Sequence, residues 1–187
     1  ISTGVVALAE IGDKTQLLAF ILAARFKKPL PIILGILCAT VVNHGLAGAL
    51  GAWITTTLSG DTLRWVLGAS FIGMAIWTLI PDKIEEEETQ VAKHLGVFGA
   101  TLITFFLAEM GDKTQIATVA MAAKFPDPIL VVIGTTLGML IADVPAVFVG
   151  DRFAAKIPMK LVHSIAAGIF AILGIATLLG AGKSLGF

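Results

Sequence analysis

The sequence predicts an all-α, polytopic membrane protein with six transmembrane helices arranged as two inverted three-helix repeats. Three observations carry that prediction. Of the 187 residues, 57% are hydrophobic and only 14% charged, against about 45–50% and about 25% in soluble domains. Six apolar stretches are each long enough to cross roughly 30 Å of hydrocarbon, which takes about 20 residues. The chain also aligns with itself, without a gap, at an offset of 99 residues. Such a composition excludes a soluble globular enzyme and a disordered chain. Thirteen basic residues balance 13 acidic ones, so no basic field exists for nucleic acid. The single cysteine, Cys38, rules out a disulfide framework and a cysteine-built metal site.

The first span covers 2–24 and stops at Arg25-Phe26-Lys27-Lys28-Pro29. The second, 30–57, ends before Ser59-Gly60-Asp61, and the third, 62–80, at Pro81-Asp82-Lys83. Beyond a linker at 81–96, the fourth span covers 97–123 and ends at Lys124-Phe125-Pro126-Asp127-Pro128. The fifth, 128–150, ends at Asp151-Arg152, and the sixth covers 161–181. Proline cannot continue a helix and charges prefer water, so each stop has a physical cause. The runs are rich in Leu, Ile, Ala and Gly and lack the period-2 alternation of barrel strands. Glu10 and Asp13 inside the first run argue against a cleavable signal sequence. The chain starts at Ile1 without an initiator methionine, so residues upstream are expected.

The repeat is densest around one motif. Glu10-Ile11-Gly12-Asp13-Lys14-Thr15-Gln16 returns as Glu109-Met110-Gly111-Asp112-Lys113-Thr114-Gln115. The same offset carries Pro29 onto Pro128, Gly35 onto Gly134, Gly51 onto Gly150 and Phe71 onto Phe170. The repeats are therefore 1–80 and 97–187, joined by the acidic linker 81–96. An odd number of spans per repeat makes the second enter the membrane from the opposite side, as in many secondary transporters. Arg25, Lys27, Lys28, Lys83, Lys93, Arg152, Lys156 and Lys160 fall on one side, against Arg64, Lys124 and Lys183 on the other. This bias places the linker in the cytoplasm and both termini outside it. The linker's Glu85-Glu86-Glu87-Glu88 run reads as a solvated connector.

Charge at lipid depth costs about 2.5–3.5 kcal/mol per residue on insertion scales. Glu10, Asp13 and Lys14 nevertheless lie inside span one, and Glu109, Asp112 and Lys113 inside span four. They must face the protein interior or water. On a continuous helix Glu10 and Asp13 share a face, with Gln16 one step further round, and Glu109, Asp112 and Gln115 do the same. If spans one and four meet, four carboxylates and two amides converge. With Lys14 and Lys113 included the formal charge is −2, which matches one divalent cation. Oxygen donors of this kind suit Ca²⁺, Mg²⁺ or Mn²⁺, whereas zinc and copper sites enlist Cys or His. The bland alternative is a pair of intrahelical ion pairs, Glu10–Lys14 and Glu109–Lys113, at i,i+4. That pairing leaves Asp13 and Asp112 without a lysine.

Gly12 and Gly111 have two readings. They let the helix kink and expose carbonyls, or they let helices pack closely. Thr15 and Thr114 are suited to reseat backbone groups freed by a kink. In spans two and five, Asn43-His44 align with Ala142-Asp143. Asp143 is a further ligand or proton carrier, Asn43 a neutral oxygen donor, and His44 a structural residue able to titrate near neutral pH.

Two copies of Glu-x-Gly-Asp-(Lys/Arg)-(Thr/Ser), one per three-helix half and joined by an acidic linker, resemble the signature of uncharacterised protein family 0016. This is the group of Gdt1-like cation/proton exchangers and bacterial manganese exporters. The resemblance covers essentially the whole chain. It implies a transporter of Mn²⁺, and in some relatives Ca²⁺, coupled to counter-movement of protons. It further implies that Glu10, Asp13, Glu109 and Asp112 form the ion site, with Thr15, Thr114, Gln16 and Gln115 beside it. The short chain is most similar to bacterial members, which implies the bacterial inner membrane.

The expectation is therefore a secondary active exporter of Mn²⁺ working by alternating access, not an enzyme, with no resident cofactor. A Ca²⁺/proton antiporter of the same architecture is the nearest rival. A membrane-embedded metal-dependent enzyme would set its acids near an interface beside a basic headgroup site. An assembly partner would use the charges only as locks between helices.

Overall fold

The structure is a computed structural model, and it describes residues 1–58, 60–80, 95–149 and 159–180. Glu85–Glu88 and the basic residues Lys83, Lys93, Arg152, Lys156 and Lys183 lie outside the described residues. The described residues form helices and no strand: α1 (Ser2–Glu10), α2 (Lys14–Phe26), α3 (Pro29–Thr57), α4 (Gly60–Thr78), α5 (Val97–Glu109), α6 (Lys113–Lys124), α7 (Pro128–Val149) and α8 (Met159–Leu178).

The helices start and stop where proline, glycine and charge dictate. Pro29 opens α3, where its fixed φ and missing N–H are no handicap. Lys27 ends α2 in the left-handed conformation at φ 52°, a common helix terminus. Among the described residues only α3 and α7 are individually long and apolar enough to span a bilayer. The predicted spans one and four depart from expectation, because neither is one continuous helix. Each is split in two, at residues 11–13 and 110–112.

The cause is local. Ile11 and Met110 turn to extended backbone with ψ of 115° and 118°, and Asp13 and Asp112 are extended N-caps of the helices that follow. Between them Gly12 and Gly111 take φ of 86° and 75°, a region that costs other L-residues about 1–2 kcal/mol. A Cβ at Gly111 would meet nothing within 4 Å. Close packing is thus not its reason, and backbone conformation is.

Packing crosses the chain's halves. α1 lies along α7, and α5 lies along α3. Gly35 of α3 permits the second contact, since a Cβ there would stand 2.7 Å from the Thr101 Cβ of α5. Its partner at the 99-residue offset, Gly134 of α7, is where α1 approaches through Ser2. α3 and α7 also touch each other, and α4 packs along α8. The apolar core has two parts. One joins Val5, Val6, Phe71, Met74, Met121, Met139 and Phe170, and the other Leu18, Leu22, Ile32, Ile36, Phe105 and Ala146.

The outer surface is apolar too. Leu34, Val42, Leu46, Leu50 and Trp53 of α3 are exposed, while Thr40, Asn43 and His44 of the same helix are buried. A soluble helix shows the opposite arrangement. Lipid on the outside and polar groups inside is the pattern a membrane solvent selects.

Candidate ion site between the two broken helices

The two breaks bring the motif acids together in the protein interior. Glu10 ends α1 and Glu109 ends α5, and both are completely buried. Glu10, Glu109 and Asp112 each present a carboxylate oxygen within 4.8 Å of the others. The convergence therefore does not come from an i,i+3 face on a continuous helix, as the sequence suggested. Glu10 and Asp13 sit on opposite sides of a helix break, one closing a helix and the other capping the next.

Each glutamate is held by its own motif. Thr15 Oγ1 donates to Glu10 Oε2 at 2.6 Å, and Thr114 Oγ1 donates to Glu109 Oε2 at 2.9 Å. The other oxygen of each, Glu10 Oε1 and Glu109 Oε1, is buried with no hydrogen-bond partner among the described residues. Buried carboxylate oxygens without partners are costly unless a cation or proton serves them. The backbone across the breaks keeps two turn-like bonds, Asp13 N–H to Glu10 O at 3.0 Å and Asp112 N–H to Glu109 O at 3.1 Å.

The lysines pair across the two motif copies. Lys113 Nζ lies 2.7 Å from Asp13 Oδ1, with the two side chains 1% and 0% exposed. Lys14 Nζ lies 4.0 Å from Asp112 Oδ1, and Lys14 is 17% exposed. The intrahelical alternative, Glu10–Lys14 and Glu109–Lys113, is thereby corrected: breaking the helix removes the i,i+4 face that pairing needs. Asp13 and Asp112 each have a lysine after all, supplied by the other copy. The crossed pairs are unequal, one short and sealed, the other long and partly open.

Asp143 of α7 also belongs here. It is fully buried, interacts electrostatically with Glu10 and Glu109, and neither of its oxygens has a hydrogen-bond partner among the described residues. His44, at the matching position of α3, is equally buried, and neither of its ring nitrogens has a partner among the described residues. Asn43 Nδ2 donates to Phe106 O at 3.1 Å, and its Oδ1 accepts from Gln115 Nε2 at 3.2 Å. Gln16 Nε2 donates to Ala142 O at 2.9 Å. Met110 is 54% exposed and turns away from the cluster.

One participant escaped the sequence reading. His163 Nε2 on α8 lies 2.9 Å from the Ile11 carbonyl, which the helix break has left without its helical donor. A histidine in an otherwise apolar span was the available signal, but its partner exists only once α1 has been interrupted.

This geometry gives a buried, acid-rich cluster of hard oxygen donors beside two ammonium groups. It can hold a small hard cation or exchange it for protons. Comparison with known proteins agrees. A family model described as divalent cation/proton antiporter GDT1 matches residues 1–86 and 97–184. A Vibrio cholerae serotype O1 protein named "Putative manganese exporter" is 51% identical over 178 residues, covering 95% of this chain and 88% of that protein. GDT1-like protein 5 of Arabidopsis thaliana is 27% identical over 209 residues, covering 92% of this chain and 91% of the relative. GDT1-like protein 3 of Oryza sativa subsp. indica is 29% identical over 195 residues, with 90% and 69% covered. No solved structure matches.

Proposed function

The chain belongs to the divalent cation/proton antiporter GDT1 family, and from that premise we propose that it exports Mn²⁺ from the cytoplasm in exchange for protons. The observation that carries the proposal is the buried meeting of Glu10, Glu109 and Asp112. One oxygen of each glutamate is fixed by a threonine, and the other is buried without a hydrogen-bond partner among the described residues. Asp13 completes the acid set while neutralising Lys113.

Charge supports the coupling to protons. Glu10, Asp13, Glu109, Asp112 and Asp143 oppose Lys14 and Lys113, leaving a formal −3 when all are ionised. A divalent cation leaves one negative charge over, which a proton on Asp143 would cancel. When the cation departs, protons must replace it, because uncompensated charge at this depth is expensive. Exchange follows from the need to keep the acid cluster near neutrality.

The architecture we propose is the six-span inverted repeat, 1–80 and 97–187, with 81–96 on the cytoplasmic side of a bacterial inner membrane. The matched helix breaks and the reciprocal packing of α1 on α7 and α5 on α3 support it. Transport then works by rocking, so that the acid cluster is exposed first to one side and then to the other.

Manganese is chosen over calcium on the name of the Vibrio cholerae relative; the oxygen donors alone accept either ion. The test is uptake of Mn²⁺ into inverted membrane vesicles driven by an imposed proton gradient, with Ca²⁺ as competitor. Glu10→Gln and Asp112→Asn should each abolish it. Unchanged transport in both variants would refute the site, and preferential loss of signal to Ca²⁺ would change the cargo.

A further inference from the structure

We infer that Gln16 and Gln115 are not ion ligands but positioning residues, each fastening its broken helix to the long helix of the opposite half. The argument rests on which way each amide must face. Gln16 stands beside the backbone N–H of Gly12 at 3.0 Å and the backbone carbonyl of Ala142 at 2.9 Å. A backbone N–H can only donate and a carbonyl can only accept, so Oε1 faces Gly12 and Nε2 faces Ala142. Gln115 repeats this, with Oε1 accepting from Gly111 N–H at 2.8 Å and Nε2 donating to Asn43 Oδ1 at 3.2 Å. The oxygen that would ligate a cation is in each case committed to the motif's own glycine.

That commitment follows from the helix break. Once the chain turns at Gly12 and Gly111, their N–H groups lose their helical acceptors. A glutamine four residues on, in the first turn of the next helix, supplies one. Its free end then points outward to α7 in one copy and to α3 in the other, the same helices on which α1 and α5 already pack. The units held together are therefore α1–α2 with α7, and α5–α6 with α3. Neither unit coincides with a sequence half. Asn43 is likewise part of a tether, with its amide spent on Phe106 O and its oxygen on Gln115.

The two tethers share one testable weakness. Ala142 O is backbone and cannot reverse its polarity. Asn43 is a side-chain amide, but its Nδ2 is already committed to Phe106 O, so turning it over strands that carbonyl. A glutamate at position 16 keeps the acceptor for Gly12 but sets oxygen against oxygen at Ala142. A glutamate at position 115 keeps the acceptor for Gly111 but sets oxygen against oxygen at Asn43 Oδ1, or at Phe106 O if Asn43 turns over.

The inference rests on the ion-site reading only for its transport readout. The experiment pairs Mn²⁺ transport in proteoliposomes with electron paramagnetic resonance distances in the metal-free protein. Spin labels are placed at Ile21→Cys of α2 and Leu137→Cys of α7, both on exposed faces, with Cys38→Ala as background. Gln16→Glu should broaden the distance distribution and lower transport by about tenfold or more, the size expected when a buried carbonyl loses its donor. Gln115→Glu should lower transport by a similar factor, because Asn43 cannot serve both the new carboxylate and Phe106 O. This variant carries the test if Gln16→Glu does not fold. As extra ligands, the added carboxylates would instead hold or tighten Mn²⁺ binding. Unchanged distances with unchanged or tighter binding in Gln16→Glu overturn the proposal, as does undiminished transport with unchanged or tighter binding in Gln115→Glu. Glu109→Gln is the separate control: intact Mn²⁺ binding there defeats the ion site but leaves the distance result to judge the tethers.

Discussion

Replacing Lys113 by methionine tests the crossed ion pairs directly. The Lys113–Asp13 pair is sealed, with a 2.7 Å contact and side chains 1% and 0% exposed. Removing one partner of such a pair strands a buried charge and costs about 3–5 kcal/mol. The Lys14–Asp112 pair is stretched to 4.0 Å, with Lys14 17% exposed. Lys14→Met should therefore cost only about 1 kcal/mol, near the value for solvent-reachable pairs. The assay is unfolding of the purified protein in mixed micelles, followed by circular dichroism with a chelator present. In a double-mutant cycle, Asp13→Asn combined with Lys113→Met should recover most of the loss, with a coupling of about 2 kcal/mol or more. The cycle of Lys113→Met with Glu109→Gln should show a smaller coupling, because that intrahelical pairing needs the continuous helix the glycine interrupts. A larger coupling to Glu109 than to Asp13, or equal costs for the two lysines, would refute the crossed arrangement.

Four further outcomes are expected. Thr15→Val and Thr114→Val remove the hydroxyl that fixes one glutamate oxygen and should weaken Mn²⁺ binding by about 10–100-fold, as loss of a supporting partner does at metal sites. Isothermal titration measures this. Gly111→Ala should destabilise by about 1–2 kcal/mol because of its φ of 75° rather than its surroundings. Gly111→Asn should recover part of that in a thermal melt, since asparagine tolerates the left-handed region. His163→Phe strands the Ile11 carbonyl and should cost about 1–3 kcal/mol, with faster hydrogen exchange at the first break. Asp143→Asn should preserve Mn²⁺ binding while altering the number of protons exchanged per ion, read from pH-sensitive dye inside vesicles.

Some of this protein is written in its sequence. An apolar run with few charges has one stable form in lipid, so the all-helical class was legible, and α3, α4, α7 and α8 fall close to the predicted limits, whereas the predicted spans one and four are each two helices. The ungapped repeat of Glu10–Gln16 at Glu109–Gln115 located the acids, since carboxylates at lipid depth persist only in the interior. The sequence alone could not choose between a kink and close packing for Gly12 and Gly111. Both uses demand the same residue, and only the backbone angle distinguishes them. Nor could it assign the lysines, because i,i+4 spacing predicts a partner on a helix that three-dimensional structure breaks. Lys113 with Asp13, Gln16 with Ala142 and His163 with Ile11 are long-range contacts between elements that local pattern cannot align. Local physics fixed which groups had to be buried; tertiary packing decided which atoms they face.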